Sequence, residues 1–251
     1  WKEGVEDSEV QFKPDPKGRF KVSWMPPAEI RNIKKTERGK LVAPNSQIGC
    51  GGVDSYDLDM TVDGRGSKGA LHLYNKFHMD HPSNMFVLEY ASRPPLAKIF
   101  YEDVLKAAVF YGYPILIENN KYGIARHFEA RGYDGYLMAR PLHLMAANSK
   151  INVKTKGIPS NSQDVIQAHA HAIEAYIHDH VGINRDTGEI GNMYFNDTLE
   201  DWIGFDINNR TRFDLTISAG LALLAAQKVK QKQKKSNFNE KKFFRRYPAI
   251  N

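Results

Sequence analysis

Apolar and polar positions change rhythm twice along this chain. Residues 1–45 hold no helical period, and Pro14, Pro16, Pro26 and Pro27 interrupt them. Short extended pieces such as Phe20-Lys21-Val22-Ser23-Trp24 are what that stretch allows. From residue 47 the pattern becomes a strand meander. Residues 47–53 predict a first strand with Ile48, Cys50 and Val53 apolar, and a turn-rich segment with Asp63-Gly64 follows. Residues 70–77 alternate Leu71, Leu73 and Phe77 against His72 and Lys76, and 85–90 predict a third strand.

Helices and strands then alternate. Residues 96–111 carry Ile99, Phe100, Val104, Ala107, Ala108 and Tyr111 at helical spacing, and Gly112 and Pro114 follow as a helix stop requires. Residues 114–117 form a short apolar strand that runs into Glu118. The pattern then predicts a helix over 122–130, a strand over 135–139, a long helix over 163–180 and a last, Ala- and Leu-rich helix over 214–229. A meander followed by alternating elements implies a mixed α/β sheet. The division is an extended connector arm (1–45), one α/β domain (46–227) and a tail (228–251), with no internal repeat.

Composition adds exclusions. Hydrophobic residues make up 41% and charged residues 25%, as in ordinary globular chains. No run of eighteen apolar residues offers a membrane span, and no signal peptide opens the chain. Trp1 in place of an initiator Met suggests an excised fragment. Cys50 is the only cysteine, which excludes an internal disulfide or a cysteine zinc cluster and suits a reducing, intracellular setting. The net charge of +6 is uneven. Nine of the 35 bases and one of the 29 acids lie in 228–251, leaving 26 against 28 in the body. Such a basic tail suits a polyanion or an acidic protein surface.

Three acids occupy telling positions. Asp54 ends the first meander strand, Glu118 ends Ile115-Leu116-Ile117, and Asp214 opens the last helix. Acids at the carboxyl ends of adjacent strands converge at one sheet edge, where α/β folds place their sites. Phosphodiester hydrolysis needs an activated water and neutralised charge on the leaving oxygen, and two divalent ions on the order of 4 Å apart supply both. Hard ions such as Mg²⁺ or Mn²⁺ take carboxylate oxygens, whereas the same acids without a cation would repel one another.

Gly52-Val53-Asp54-Ser55, Ile115-Leu116-Ile117-Glu118-Asn119-Asn120 and Phe213-Asp214-Leu215-Thr216-Ile217-Ser218-Ala219-Gly220, in that order, resemble the nuclease domain of bacteriophage terminase large subunits. Asn152-Val153-Lys154-Thr155-Lys156-Gly157-Ile158-Pro159 is similar to that family's threonine- and base-containing segment. The resemblance covers roughly residues 47–227. It implies a ribonuclease H-like fold, a mixed central sheet flanked by helices. It also implies an endonuclease that cuts double-stranded DNA concatemers during viral genome packaging in the host cell cytoplasm. Asp54, Glu118 and Asp214 would hold two divalent ions, Mg or Mn. One further acid belongs nearby in that family; Asp57 is nearest, with Asp59 and Asp63 as alternatives. The ATPase motor, the portal and the small terminase subunit would be its partners. The motor is absent, since no Gly-x-x-x-x-Gly-Lys-Ser/Thr loop occurs.

Lys121, Arg140, Lys154, Thr155 and Lys156 follow the second acid and suit phosphate contacts without base reading. His169, His171, His178 and His180 look like a metal cluster, but His169 and His171 lie roughly 200° apart around a helix and face different sides. Other readings stay open: another ribonuclease H-like enzyme such as a junction resolvase or transposase, or a non-catalytic module docking on DNA or the portal.

Overall fold

The computed structural model describes residues 1–57, 68–145, 155–159, 162–183 and 186–227. Asp59, Asp63, Lys154 and the basic tail lie outside the described residues. Three short strands occupy the first 45 residues: β1 (Phe20–Val22), then β2 (Lys35–Glu37) and β3 (Lys40–Val42), which pair as a separate two-stranded sheet. The meander follows as β4 (Gly49–Asp54), β5 (Gly69–Asn75) and β6 (Met85–Ser92), each antiparallel to the next. After it come α1 (Ala97–Tyr111), β7 (Ile115–Ile117), α2 (Gly123–Ala130), α3 (Gln163–His180), α4 (Asn196–Gly204) and α5 (Asp214–Ala226).

The main sheet runs β1-β6-β5-β4-β7, with β7 parallel to β4. A three-strand meander beside a parallel strand, with helices on both faces, is the ribonuclease H-like arrangement. Every residue of β4 and β5 is buried, so these strands are covered on both sides. On one face, Val53, Leu71, Leu73, Ile115 and Ile117 share a core with α1 and α2. On the other, Cys50, Tyr74 and Leu116 share a core with α3 and α5.

Two expected elements differ. The strand expected at 135–139 is split: Ile115 exchanges backbone hydrogen bonds of 2.8 Å with Tyr136 and Met138, and Ile158 then takes over beside Ile117 and Asn119 at 3.0 and 2.9 Å. Helix α4 was not expected, although Phe195, Leu199, Trp202 and Ile203 stand at helical spacing; Phe195 and Trp202 join the core on the α5 face, while Ile203 is exposed. The described part of the last helix ends at Ala226, and Val229 lies outside the described residues. In the first 45 residues, β1 is the outer edge of the main sheet, where Phe20 faces Tyr90 at a ring distance of 5.0 Å.

Helix α5 is apolar almost all round and is buried along ten of its thirteen residues. It lies directly over β4 because Gly52 has no side chain. A Cβ there would fall 2.2 Å from Ser218 O and 2.2 Å from Ala222 N. Gly220, on α5, makes the same allowance for His169 of α3. These contacts fix where the first residue of α5 stands over the sheet.

Candidate functional site

Register brings two of the acids together. Val53 pairs with Ile117 across β4 and β7, and both belong to the core on the α1 face. Side chains alternate along a strand, so the next residues, Asp54 and Glu118, both turn to the α5 face. Asp214 opens α5 on that face. Asp54 and Glu118 are buried, at 5% and 6% exposure, and Asp214 is half-buried. The structure therefore gathers Asp54, Glu118 and Asp214 at one sheet edge.

Cations surround them. Lys121 Nζ lies 2.6 Å from Asp54 Oδ1 and 3.7 Å from Glu118 Oε2. The Lys68 backbone N–H donates to Asp214 Oδ2 at 2.8 Å. Arg210, in the 3-10 turn Ile207–Arg212 that leads into α5, feels both Glu118 and Asp54; burial nevertheless holds its guanidinium below the usual arginine value. Burial pushes the Asp54 carboxyl up to about 8; Lys121 pulls it down, and Glu118 and Asp214 add repulsion. Burial likewise raises Asp214, against the Lys68 N–H, Lys121 and a side-chain hydrogen bond with Asp54, and with Asp201 adding repulsion. Burial lowers Lys121, but Asp54 and Glu118 outweigh it and leave the ammonium above its ordinary value.

The first turn of α5 is held by an acid that the sequence analysis did not single out. Asp201 Oδ2 of α4 accepts both the backbone N–H and the hydroxyl of Thr216, each at 2.7 Å. It thereby caps the first turn of α5 from a neighbouring helix. The signal that could have found its helix is the helical spacing of Phe195, Leu199, Trp202 and Ile203, but nothing in that pattern says that Asp201 reaches Thr216. Arg210 stands in the segment that precedes Asp214, and nothing in its spacing marks it as facing the acids.

Asp57 is engaged next door. Its Oδ1 accepts the Tyr101 hydroxyl at 2.9 Å and the Gly123 N–H at 3.2 Å, at the start of α2. Lys121, Thr155 and Lys156 line one cavity of about 430 Å³ with Asn119 and Tyr122. Lys156 Nζ donates to Leu137 O at 3.0 Å, and Arg140 follows Ala139, which bridges to Lys156. The α3 histidines separate as helical geometry requires: His169 is buried and its Nε2–H donates to Ile217 O at 3.0 Å, while His171 and His178 lie exposed beside Glu174 and Asp179.

The donor chemistry at the edge suits a divalent ion: hard oxygens from three elements, two of them buried, with a cationic nitrogen already between them. Among the described residues, no group of three or more His, Cys, Asp or Glu side chains is arranged to hold a metal ion as it stands. Lys121 occupies the meeting point instead. Among the described residues, no helix is long and apolar enough to cross a membrane.

No family model matches this chain, and no curated protein matches it. Among solved structures, it is similar to the large terminase nuclease from thermophilic phage G20c, determined with bound zinc. That similarity covers 75% of this chain and 89% of the other, at 12% identity and a TM-score of 0.45.

Proposed function

We propose that this chain is a metal-dependent endonuclease that cuts double-stranded DNA concatemers during viral genome packaging, as the nuclease part of a terminase large subunit. One observation carries the reading. Three carboxylates far apart in sequence meet at the carboxyl edge of β4 and β7, two of them buried, with Lys121 between them. Burial of acids at such an edge costs stability unless a cation answers them. Asp54, Glu118 and Asp214 would hold two divalent ions, Mg or Mn. The ions supply charge neutralisation and activation of the attacking water. The chain's own residues set the geometry: Asp201 holds the first turn of α5, and Gly52 lets that helix approach. Lys121, Arg140, Lys154, Thr155 and Lys156 would carry the phosphate backbone. The arm at 1–45 would join the motor, the tail at 228–251 would meet DNA or the portal, and the small terminase subunit would assemble with the whole.

Cleavage of linear duplex and of four-way junctions by the purified chain, in Mg²⁺ or Mn²⁺, tests the substrate. Comparable cutting of linear duplex is expected; strong preference for the junction would overturn the packaging role in favour of a resolvase. A second reading has its own observation. Lys121 already fills the space among the acids, as it would in a purely structural ion pair within a non-catalytic docking module. Tight DNA binding with neither metal binding nor cleavage would establish that reading.

A further inference from the structure

We infer that Lys121 is a tethered counter-cation, whose ammonium holds the place between Asp54 and Glu118 that a divalent ion would take and must swing out when the ion enters. The inference rests on the reading of the three acids as a metal site.

Position comes first. Lys121 stands in the turn between β7 and α2, three residues beyond Glu118, so its side chain reaches back over the strand end to Asp54. Its nitrogen, at 2.6 Å from Asp54 Oδ1, occupies one of the oxygens a metal would need. An ion and an ammonium cannot both hold that oxygen, because the two cations would lie within a few ångströms in a buried setting. Removing the ammonium without replacement leaves two buried carboxylates facing each other, an arrangement that costs stability. Lys121 therefore lets the acids fold together before any metal arrives.

An exit exists as well. The Lys121 side chain keeps 29% of its surface exposed, whereas those of Asp54 and Glu118 keep 7% and 8%. It lines the cavity of about 430 Å³ shared with Thr155 and Lys156. Two residues beyond Lys121, Asp57 pins the start of α2 by accepting the Gly123 N–H. Displaced into the cavity, the ammonium would stand near Lys156 and would meet the carboxylates of Glu129 and Asp134, which line the same cavity and can receive it.

Calorimetric titration of the full chain with Mn²⁺, beside thermal melting in EDTA and in Mn²⁺, tests the competition in wild type, Lys121→Met and Asp54→Asn. Lys121→Met is expected to bind Mn²⁺ about tenfold or more tightly than wild type, since an opposite charge at this range is worth one or more powers of ten. It should also melt lower in EDTA and gain more from Mn²⁺. Asp54→Asn should bind weakly. Lys121→Met binding no more tightly than wild type, with Asp54→Asn still impaired, overturns the counter-cation but leaves the metal site. Identical or absent binding in all three overturns the metal site and the inference with it. If Lys121→Met does not fold, acylation of wild-type lysines read by mass spectrometry serves instead. Lys121 labelling should be slow in EDTA and faster in Mn²⁺, and unchanged labelling overturns the inference.

Discussion

The backbone of Gly52 on β4 lies directly under that of Ala222 on α5, so that a Cβ on Gly52 would sit 2.2 Å from the Ala222 nitrogen. Backbone cannot yield as a flexible side chain can. Gly52→Ala must lift α5 from the sheet, and Asp214 moves with it. We expect a loss of about 3 kcal/mol, the upper part of the usual range for overpacking a core, read as a lower urea midpoint. Mn²⁺ should also protect this variant less than wild type. An unchanged midpoint would show that α5 is not seated by this contact.

Asp54 gives the metal-free protein a distinctive pH dependence. Its carboxyl titrates near 3.8 when unfolded and at about 8 when folded, because burial outweighs Lys121. Between about pH 4 and pH 8 the folded acid cluster therefore holds more proton than the unfolded chain does, in competition with the Lys121 ammonium, which favours the Asp54 carboxylate. Its contribution to stability is full below pH 4 and is lost as pH rises through 8. In EDTA, wild type should lose stability relative to Asp54→Asn across that window, and saturating Mg²⁺ should remove the difference. Parallel curves for the two proteins would contradict the assignment.

A second group works on the acid side. Glu102 gathers Trp1, His127 and Arg131; the Trp1 indole N–H and an Arg131 N–H each donate to it at 2.7 Å, and His127 Nε2 lies at 2.8 Å. Burial would raise its carboxyl, but those hydrogen bonds hold it at about 2. With the folded value depressed, its stabilisation is present above the unfolded value of 4.5 and is lost as pH falls through 2. Glu102→Gln should remove about 1–2 kcal/mol at neutral pH, less than the whole shift because water screens the partly buried group, and flatten the acid limb. It should also loosen the first residues of the chain, read as faster amide exchange there.

A buried polar chain ties α4 and α5 to the sheet. Thr198 donates to Glu89 at 2.5 Å, the His72 Nε2–H donates to Thr198 at 2.7 Å, and the Ser218 hydroxyl approaches His72 Nδ1 at 2.8 Å. Burial lowers His72 to about 3, so it stays neutral through the physiological range. Its stabilisation is present above pH 6.5 and is lost as pH falls through 3. Thr198→Val takes the Thr198 hydroxyl away from His72 Nε2 and from one Glu89 oxygen, while Ser218 keeps Nδ1 and Lys21 keeps the other oxygen, at a cost of about 1–3 kcal/mol. Equal stability of this variant and wild type in urea would mean that the chain of hydrogen bonds does not carry the α4–α5 placement.

The acids were legible in the sequence because each closes or opens an element whose pattern is strong. Ile115-Leu116-Ile117 can only be a buried strand, and Glu118 is its next residue. The meander, α1, α3 and the start of α5 were legible for the same reason. The rest depends on contacts between elements. Lys121 reads as one more base in a row of bases, and only the register of β4 with β7 shows that Asp54 lies within its reach. Asp201 acts through α4, a short helix whose apolar side chains Leu199 and Trp202 are only partly buried and whose Ile203 is exposed, and its reach to Thr216 depends on how α4 meets α5. β1 is legible as an extended piece, but its place at the sheet edge depends on pairing with β6, some 65 residues further on.

The most direct measurement is cleavage of supercoiled plasmid by the purified chain in Mg²⁺ or Mn²⁺, beside EDTA and beside Asp54→Asn, Glu118→Gln and Asp214→Asn. The account predicts nicking and linearisation that require the metal and fall by two or more powers of ten, about 3 kcal/mol of barrier, in each folded variant. Cleavage retained by all three folded variants, or none by wild type in either metal, would contradict it.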